Sequence, residues 1–342
     1  MREAISVAAV HRPHPNPRVG ALVFDRSGAE VGRGAHIAAG RPHAEAVALE
    51  QAGTEAEGGT LVVTLEPHDH HGRTPPCTEA IIRSRIASVV VGAIDPDSRV
   101  AGRGVERLER AGIDVETGVE VAACEALDPG YFHHRRTGRA RLVLKTASTL
   151  DGQTAAMDGT SQWITGEQAR RDAHRLRAAA DAVMVGAGTL LADDPLLTVR
   201  IDGASHQPRP VVVAGTRPLP VGARLWDRNP IVASPIPLVG VEDVIVAPGV
   251  SGRVDLGELL RRLPDHGILD VLAEGGAGLS AALWEANLVD AGVSYLAPLV
   301  AGGVGRAMFD RPFPSLDSAR SIRILSFERV GDDLRVEWEP TD

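Results

Sequence analysis

Two α/β domains in one chain are what the sequence predicts, on three observations. Its 342 residues exceed what one ordinary core takes up. Helix-period and strand-period segments alternate from residue 2 to about 125 and resume beyond about 141, as layered α/β units require. Between them lies the basic stretch HHRRTGRAR, read as a hinge loop, which puts the boundary at 138–141 and the domains at 1–138 and 141–342. A hydrophobic fraction of 44% against 24% charged residues is an ordinary globular balance.

In the first domain the periodicity predicts a helix near 2–11, strands at 19–25 and 29–38, a helix at 43–52 and a strand at 60–65. A helix at 76–85, a strand at 87–93, a helix at 103–111, a short strand at 113–116 and a helical stretch at 120–136 complete it. In the second, strands are expected near 141–148, 181–186, 210–214, 229–233, 243–246, 269–273 and 293–298, with helices near 166–179, 255–263 and 277–286. The final SIRILSFERVGDDLRVEWEP reads as a β-hairpin, two alternating runs around Gly331-Asp332-Asp333.

Several function classes are disfavoured. No apolar run approaches the ~20 residues needed to span a bilayer, and the first residues hold too short an apolar stretch for a secretory signal, so a cytoplasmic protein with no membrane partner is expected. A net charge of −9 argues against nucleic acid, whose phosphates need a basic face, and favours a small-molecule substrate. Two cysteines, Cys77 and Cys124, exclude a disulfide framework. Of 36 basic residues Lys145 is the single lysine, which suggests a need for a compact ammonium there. Asparagine occurs only at 16, 229 and 287, drawing attention to Asn16 inside HPNPRVGA.

His43-Ala44-Glu45 stands at a predicted helix start, and Leu65-Glu66-Pro67-His68 ends the next strand. Cys77 opens a helix after Pro75-Pro76, where the helix dipole favours a thiolate. A histidine at a helix start is more often a cap, and a lone cysteine after prolines is no stronger a signal. In the order His-x-Glu, Pro-x, Pro-Cys they match the zinc deaminase signature. Three protein ligands leave zinc a fourth position for water, whose pKa it lowers to ~7, with Glu45 as proton shuttle.

The stretches HPNPRVGALV, RPHAEAVAL, VTLEPHDHHGRTPPCTEAI and DPDSRVAGRGVERLERAGIDV resemble the deaminase half of the bifunctional riboflavin-biosynthesis deaminase-reductase family. The resemblance implies a cytidine-deaminase-like α/β/α layer with His43 and Cys77 as zinc ligands, Glu45 as general acid/base and Asn16 on the wall of the pyrimidine pocket. Where the family pattern has a cysteine after Glu-Pro, this chain has His68. Three readings stay open: His68 ligates, His70 or His71 substitutes, or the first domain has only a structural role.

The second domain has no G-x-G-x-x-G fingerprint. The run Glu274-Gly275-Gly276-Ala277-Gly278-Leu279-Ser280, between a strand and a helix, offers either a pyrophosphate cradle at a helix start or merely a tight turn. LVLKTASTLDGQTA, GTSQWITGEQARRDAHRLRA, AVMVGAGTLLADDPLLTVR and LAEGGAGLSAAL resemble, in order and spacing, the reductase half of the same family. That implies a dihydrofolate-reductase-like domain. Ala147, Trp163, Thr189 and Asp193, with Gly276, Ala277, Gly278, Leu279, Ser280, Ala281 and Ala282, would line an NADPH site. Ser161, Arg177, Leu197, Arg200 and Glu274 would contact a phosphoribosylaminopyrimidine. Lys145, in mid-strand, is expected to meet Asp151 or bound ligand, because an unpaired ammonium there is costly. Trp163 either stacks on a flat ring or fills the core.

Together these expectations describe zinc-dependent deamination in 1–138 followed by NADPH reduction in 141–342, in a homodimer or higher oligomer. A reductase with an inactive first domain, a nucleic-acid base deaminase and a non-enzymatic zinc-binding protein are the alternatives.

Overall fold

A computed structural model describes residues 1–341 except 73, 98, 99, 205, 216 and 304. Arg73, Ser98 and Arg99, inside two of the quoted motifs, thus lie outside the described residues. The chain separates into two compact units, Met1–Gly138 and Arg139–Asp342.

The first unit runs α1 (Arg2–Ala9), β1 (Gly20–Phe24), β2 (Glu30–Ala35), α2 (Ala44–Ala52), β3 (Thr60–Leu65), α3 (Cys77–Arg83), β4 (Ser88–Ala93), α4 (Arg103–Arg110), β5 (Asp114–Thr117), α5 (Val121–Glu125) and α6 (Pro129–Thr137). The sheet has the order β2-β1-β3-β4-β5. β1 is antiparallel to β2 and β3, whereas β3-β4 and β4-β5 are parallel. Ala4 of α1 packs with Leu22 and Val62 on one side of the sheet. Ala48, Ile81 and Leu108, from α2, α3 and α4, meet Val23, Val63 and Val91 on the other, making an α/β/α layer.

One contact in this packing sets the position of the chemistry. A Cβ at Gly34 would lie 2.2 Å from the Ala44 carbonyl oxygen, and one at Gly32 2.2 Å from that of Ala48. Two glycines of β2 therefore let the backbone of α2 press onto the strand, fixing the helix whose start carries His43 and Glu45.

The second unit contains β6 (Arg141–Thr149), β7 (Gln153–Ala155), α7 (Glu167–Ala179), β8 (Ala182–Gly186), α8 (Ala187–Asp193), β9 (Arg209–Val213), β10 (Ile231–Ser234) and β11 (Val244–Val246). It continues with α9 (Leu256–Arg262), β12 (Asp270–Ala273), α10 (Ala277–Glu285), β13 (Ala291–Ala297), β14 (Arg306–Ala307), β15 (Ile322–Val330) and β16 (Asp333–Pro340). Nine strands form one sheet in the order β11-β10-β9-β8-β12-β6-β13-β16-β15. Every neighbouring pair from β11 to β13 is parallel, and the last two pairings are antiparallel. The parallel strands are covered on both faces, one around Leu144, Met184 and Leu259, the other around Val183, Val185 and Val212. At the β13-β16 pairing Gly292 lies opposite Trp338, and a Cβ there would fall 2.0 Å from the indole. The glycine is what admits the buried indole, whose Nε1 donates to Ser294 Oγ at 2.9 Å.

The expected hinge loop is corrected. His133 to Thr137 form the end of α6, which starts with Pro129 at its first turn and stops at Gly138, whose φ is 77°. Its basic residues hold the first unit together: Arg136 pairs with Glu125 at 2.5 Å and Arg135 with Asp97 at 3.4 Å. The stretch read as one helix at 120–136 is broken into α5 and α6 at Asp128, which precedes the proline. β7, α8 and β14 are elements that periodicity does not reveal, being three, seven and two residues long.

Candidate functional site

β3 delivers its last residues to the carboxyl edge of the first sheet, and there Glu66, 3% exposed, is held by backbone amides. Gly102 N and Gly104 N donate to it at 2.9 and 3.0 Å, and Asp95 N and Val105 N at 3.3 and 3.4 Å. A Cβ at Gly104 would sit 1.8 Å from the Pro67 carbonyl oxygen. The Glu66-Pro67-His68 corner is thereby clamped to the start of α4, and the direction of His68 follows from it.

His43 caps α2, Cys77 opens α3, and ligand atoms of His43, His68 and Cys77 lie within 4.8 Å of one another. The His43 and His68 rings are 4.5 Å apart, and Cys77 Sγ is 3.5 Å from His43 Nδ1. The far nitrogen of His43, Nε2, meets the Thr74 hydroxyl at 3.3 Å, which turns the other nitrogen toward the cluster. Among the described residues His68 Nδ1 is buried without a hydrogen-bond partner. Burial, helped by neighbouring imidazoles, lowers both histidines to about 4, so each is a neutral ring with a lone pair available.

These donors fit a divalent ion: an orphaned buried imidazole nitrogen is costly unless something receives it, and a second nitrogen tied to an outer partner is how metal-binding histidines are oriented. One expectation is reversed. Burial first, and then the Glu45 carboxyl beside it, push the Cys77 thiol well up, against the depression expected from its helix-start position. A cation among the three donors supplies the charge that brings a thiol down. Glu45, 3% exposed, has Oε2 without a partner among the described residues, and burial raises its carboxyl. Of the alternatives to His68, His70 lies behind it at 5.2 Å and His71 pairs with Glu79 at 3.4 Å; neither belongs to the donor group. Asn16 is linked to this group through His36: its Nδ2 lies 3.0 Å from Nε2 of His36, whose ring is 4.9 Å from that of His43. His36, Thr74 and Glu66 are missed by the motif reading, because their roles depend on contacts made by folding.

In the second unit α8 and α10 begin at the carboxyl ends of adjacent parallel strands, β8 and β12. A Cβ at Gly276 would come within 3.6 Å of Thr189 Oγ1, so the Glu274–Gly278 turn and the first turn of α8 adjoin. A Cβ at Gly275 would collide with Leu279 at 2.7 Å. The opened helix start of Gly276, Ala277 and Gly278 suits an anionic group. Further along, the expectation is corrected: Ser280 and Ala281 are buried, and Leu279 and Ala282 pack against the core, because α10 turns that face to the sheet. Asp193 is exposed at the end of α8, and Ala147 lies on the same face of β6 as Lys145.

Lys145 does not meet Asp151. Its Nζ lies 3.9 Å from Glu274 Oε2 and 5.9 Å from the Tyr295 ring centre. Asp151 instead accepts from Thr149 Oγ1 at 2.5 Å, Ala301 N at 3.1 Å and Gly302 N at 2.6 Å, contacts that lower it to about 2 and tie down the loop after β13. Arg177 spends its fork on Glu274, with Nε and Nη2 at 2.6 and 3.0 Å, and its Nη1 donates to Thr198 O at 3.0 Å. Glu274 is therefore engaged with two cations rather than waiting for sugar hydroxyls. Leu197 is 3% exposed and buried in the core under β8, so its side chain cannot face a ligand. Arg200 is exposed and its guanidinium has no hydrogen-bond or ion-pair partner among the described residues. Ser161 is half-buried, and Trp163 is 65% exposed with the Arg170 guanidinium 4.5 Å from its ring centre, which rules out a core-filling role. Arg228 extends the cationic group and His174 lies beside it; burial and the nearby Arg177 lower both.

The family model described as the cytidine and deoxycytidylate deaminase zinc-binding region matches residues 1–93, and the RibD C-terminal domain matches residues 140–336. The riboflavin biosynthesis protein RibD of Chlamydia muridarum is 41% identical, over 99% of this chain and 95% of that protein. RibD of Escherichia coli is 37% identical over 94% and 92%. Among solved structures, Acinetobacter baumannii RibD superposes with a TM-score of 0.91 at 37% identity, covering 100% of this chain and 98% of that one. The Thermotoga maritima diaminohydroxyphosphoribosylaminopyrimidine deaminase/5-amino-6-(5-phosphoribosylamino)uracil reductase does so at 0.88 and 33%, covering 99% and 97%. Among the described residues no helix is long and apolar enough to cross a membrane.

Proposed function

This chain belongs to the RibD family of riboflavin-biosynthesis enzymes, with a zinc-binding deaminase domain followed by a reductase domain, and from that premise we propose the chemistry of each half. Residues 1–138 hydrolyse the amino group of 2,5-diamino-6-(5-phosphoribosylamino)pyrimidin-4-one, and residues 141–342 then reduce its ribosyl side chain to ribityl with NADPH. The observation that carries this reading is the convergence of His43, His68 and Cys77 beside the unpartnered carboxyl oxygen of Glu45.

His43, His68 and Cys77 would hold a zinc ion, which would supply the Lewis acidity that makes water a nucleophile near neutral pH. Glu45 accepts a proton from the attacking water at its free oxygen and returns it to the departing nitrogen. A C–O bond forms at the carbon that carried the amino group, the C–N bond breaks, and ammonia leaves. Asn16 orients the ring in the pocket. In the second half NADPH would supply a hydride to C1 of the ribosylamino group, with the C1–O bond of the sugar ring opening, the freed oxygen taking a proton and NADP⁺ left behind. Gly276, Ala277 and Gly278 at the start of α10 would hold its pyrophosphate, and Thr189, Asp193, Ala147 and Trp163 would line the rest of its site. Arg200 takes the substrate phosphate, Ser161 lies beside it, and the Lys145-Glu274-Arg177 knot faces the sugar.

The test is ammonia release by zinc-loaded protein with NADPH withheld, followed by NADPH oxidation once it is added. Release that depends on metal, followed by one NADPH consumed per ammonia, is the expected result; reduction without prior release would leave only a reductase. A homodimer formed through β15 is part of the same reading, since this edge strand exposes Ile324, Leu325 and Phe327 at 59%, 53% and 73%. Phe327→Glu should halve the mass seen by light scattering, and an unchanged mass would exclude this strand as the interface. A cytoplasmic location fits a site whose Cys77 must stay reduced; both cysteines are free.

A further inference from the structure

His36 is 3% exposed and ties the loop before β1 to the residue that precedes His43. Its backbone amide donates to Val19 O at 3.0 Å, ahead of β1. Its Nδ1 lies 3.2 Å from the carbonyl oxygen of Pro42, the residue before His43. Its Nε2 lies 3.0 Å from Asn16 Nδ2. A carbonyl oxygen can only accept, so Nδ1 carries the proton. The Asn16 Nδ2 that faces Nε2 can only donate, so Nε2 meets it with a lone pair. Nε2 is then obliged to accept, and Asn16 must donate through Nδ2. The orientation of the Asn16 carboxamide follows: Nδ2 turns to His36, and Oδ1 has no hydrogen bond among the described residues.

We propose that His36 is a positioning residue for substrate recognition, fixing Asn16 with its carboxamide oxygen toward the pocket, so that this position reads an N–H donor of the pyrimidine rather than an acceptor. His36 itself touches no reacting atom in this scheme. Its influence passes through Asn16, and the Pro42 contact keeps that wall in register with the helix start carrying His43 and Glu45. The inference rests on the deaminase reading of this site. It adds a reason for which edge of the ring is accepted: with the carboxamide reversed, an N–H of the ring would face an N–H of the protein.

The test is steady-state ammonia release by the zinc-loaded full chain, NADPH withheld, for wild type, His36→Phe, His36→Gln, Asn16→Ala and the His36→Phe/Asn16→Ala double variant. Phe keeps a ring but offers no acceptor. It should raise KM about tenfold, the scale of one lost hydrogen bond, with kcat and bound zinc little changed. The double variant should be no worse than the poorer single one, because both remove the same interaction. Gln, whose side-chain oxygen can accept from Asn16, should recover most of the loss. Should His36→Phe not fold, His36→Gln is read alone: it removes the ring but keeps an acceptor for Asn16 Nδ2, and KM must then stay close to that of wild type. Wild-type protein that releases no ammonia overturns the deaminase reading and this inference with it. An active wild type in which the two substitutions multiply, or in which kcat or zinc content falls while KM holds, overturns this inference alone.

Discussion

Glu45→Gln is expected to lower metal-dependent ammonia release by about 10²- to 10⁴-fold, the range for losing a positioned acid–base group, while leaving NADPH oxidation with the deaminated substrate unchanged. The side chain is 3% exposed at the first turn of α2, and its Oε2 has no partner among the described residues. Glutamine has the same shape but cannot take a proton from water and hand it on. Folding should not suffer, since a carboxyl that burial already pushes up gains nothing from its charge. Zinc content should also hold, because Glu45 lies outside the His43-His68-Cys77 donor group. The intact second activity serves as the internal standard. Equal loss of both activities would point to a folding defect, and unchanged ammonia release would remove Glu45 from the mechanism.

Much of this architecture is legible in the sequence because long periodic segments report burial directly. Strands such as Ala182–Gly186 and Thr60–Leu65 are apolar runs bounded by turn residues, and both occur where expected. What escapes is short or decided by distant contacts. The seven residues of α8 are too few to show a period. The end of α6 looks like a basic loop because its arginines are balanced by partners outside the helix, Glu125 of α5 and Asp97 after β4.

The sites divide the same way. His43, Glu45, His68 and Cys77 are readable as a set because element starts and ends carry them to one edge of the sheet. His36 is silent, since its role is to select an orientation of Asn16. Leu197 and Ser280 carry motif positions but present buried side chains, so any contact they make with a ligand must use backbone. The aromatic fraction of 3% leaves few other ring-stacking candidates near Trp163. The position of the single lysine is legible from composition, but its partner is not: Glu274 is 129 residues away and is brought beside Lys145 only by the parallel pairing of β12 with β6.

Glu274→Ala is expected to be the most destabilising single change in the second unit, by about 3–5 kcal/mol, the cost of leaving a buried cation unpaired. Glu274 has a side chain 9% exposed and faces Arg177 and Lys145, themselves 16% and 19% exposed. Burial pushes the Glu274 carboxyl up, but the charges of Lys145 and Arg177 together outweigh it and hold the group below the usual carboxylate value. The sign of the linkage follows. A depressed folded-state pKa gives stability that is fully present above the ordinary carboxylate range and is lost as pH falls through the depressed value. The gap between wild type and Glu274→Ala in urea unfolding should therefore be full at pH 7 and shrink in acid below the ordinary carboxylate range. Reduction should fail in this variant while ammonia release persists, because the knot lies within Arg139–Asp342. Adding Arg177→Met to Glu274→Ala should recover part of the lost stability, since it removes one of the stranded charges. If the double variant is no more stable than the single one, or if the gap is the same at every pH, the buried charges are not what Glu274 balances.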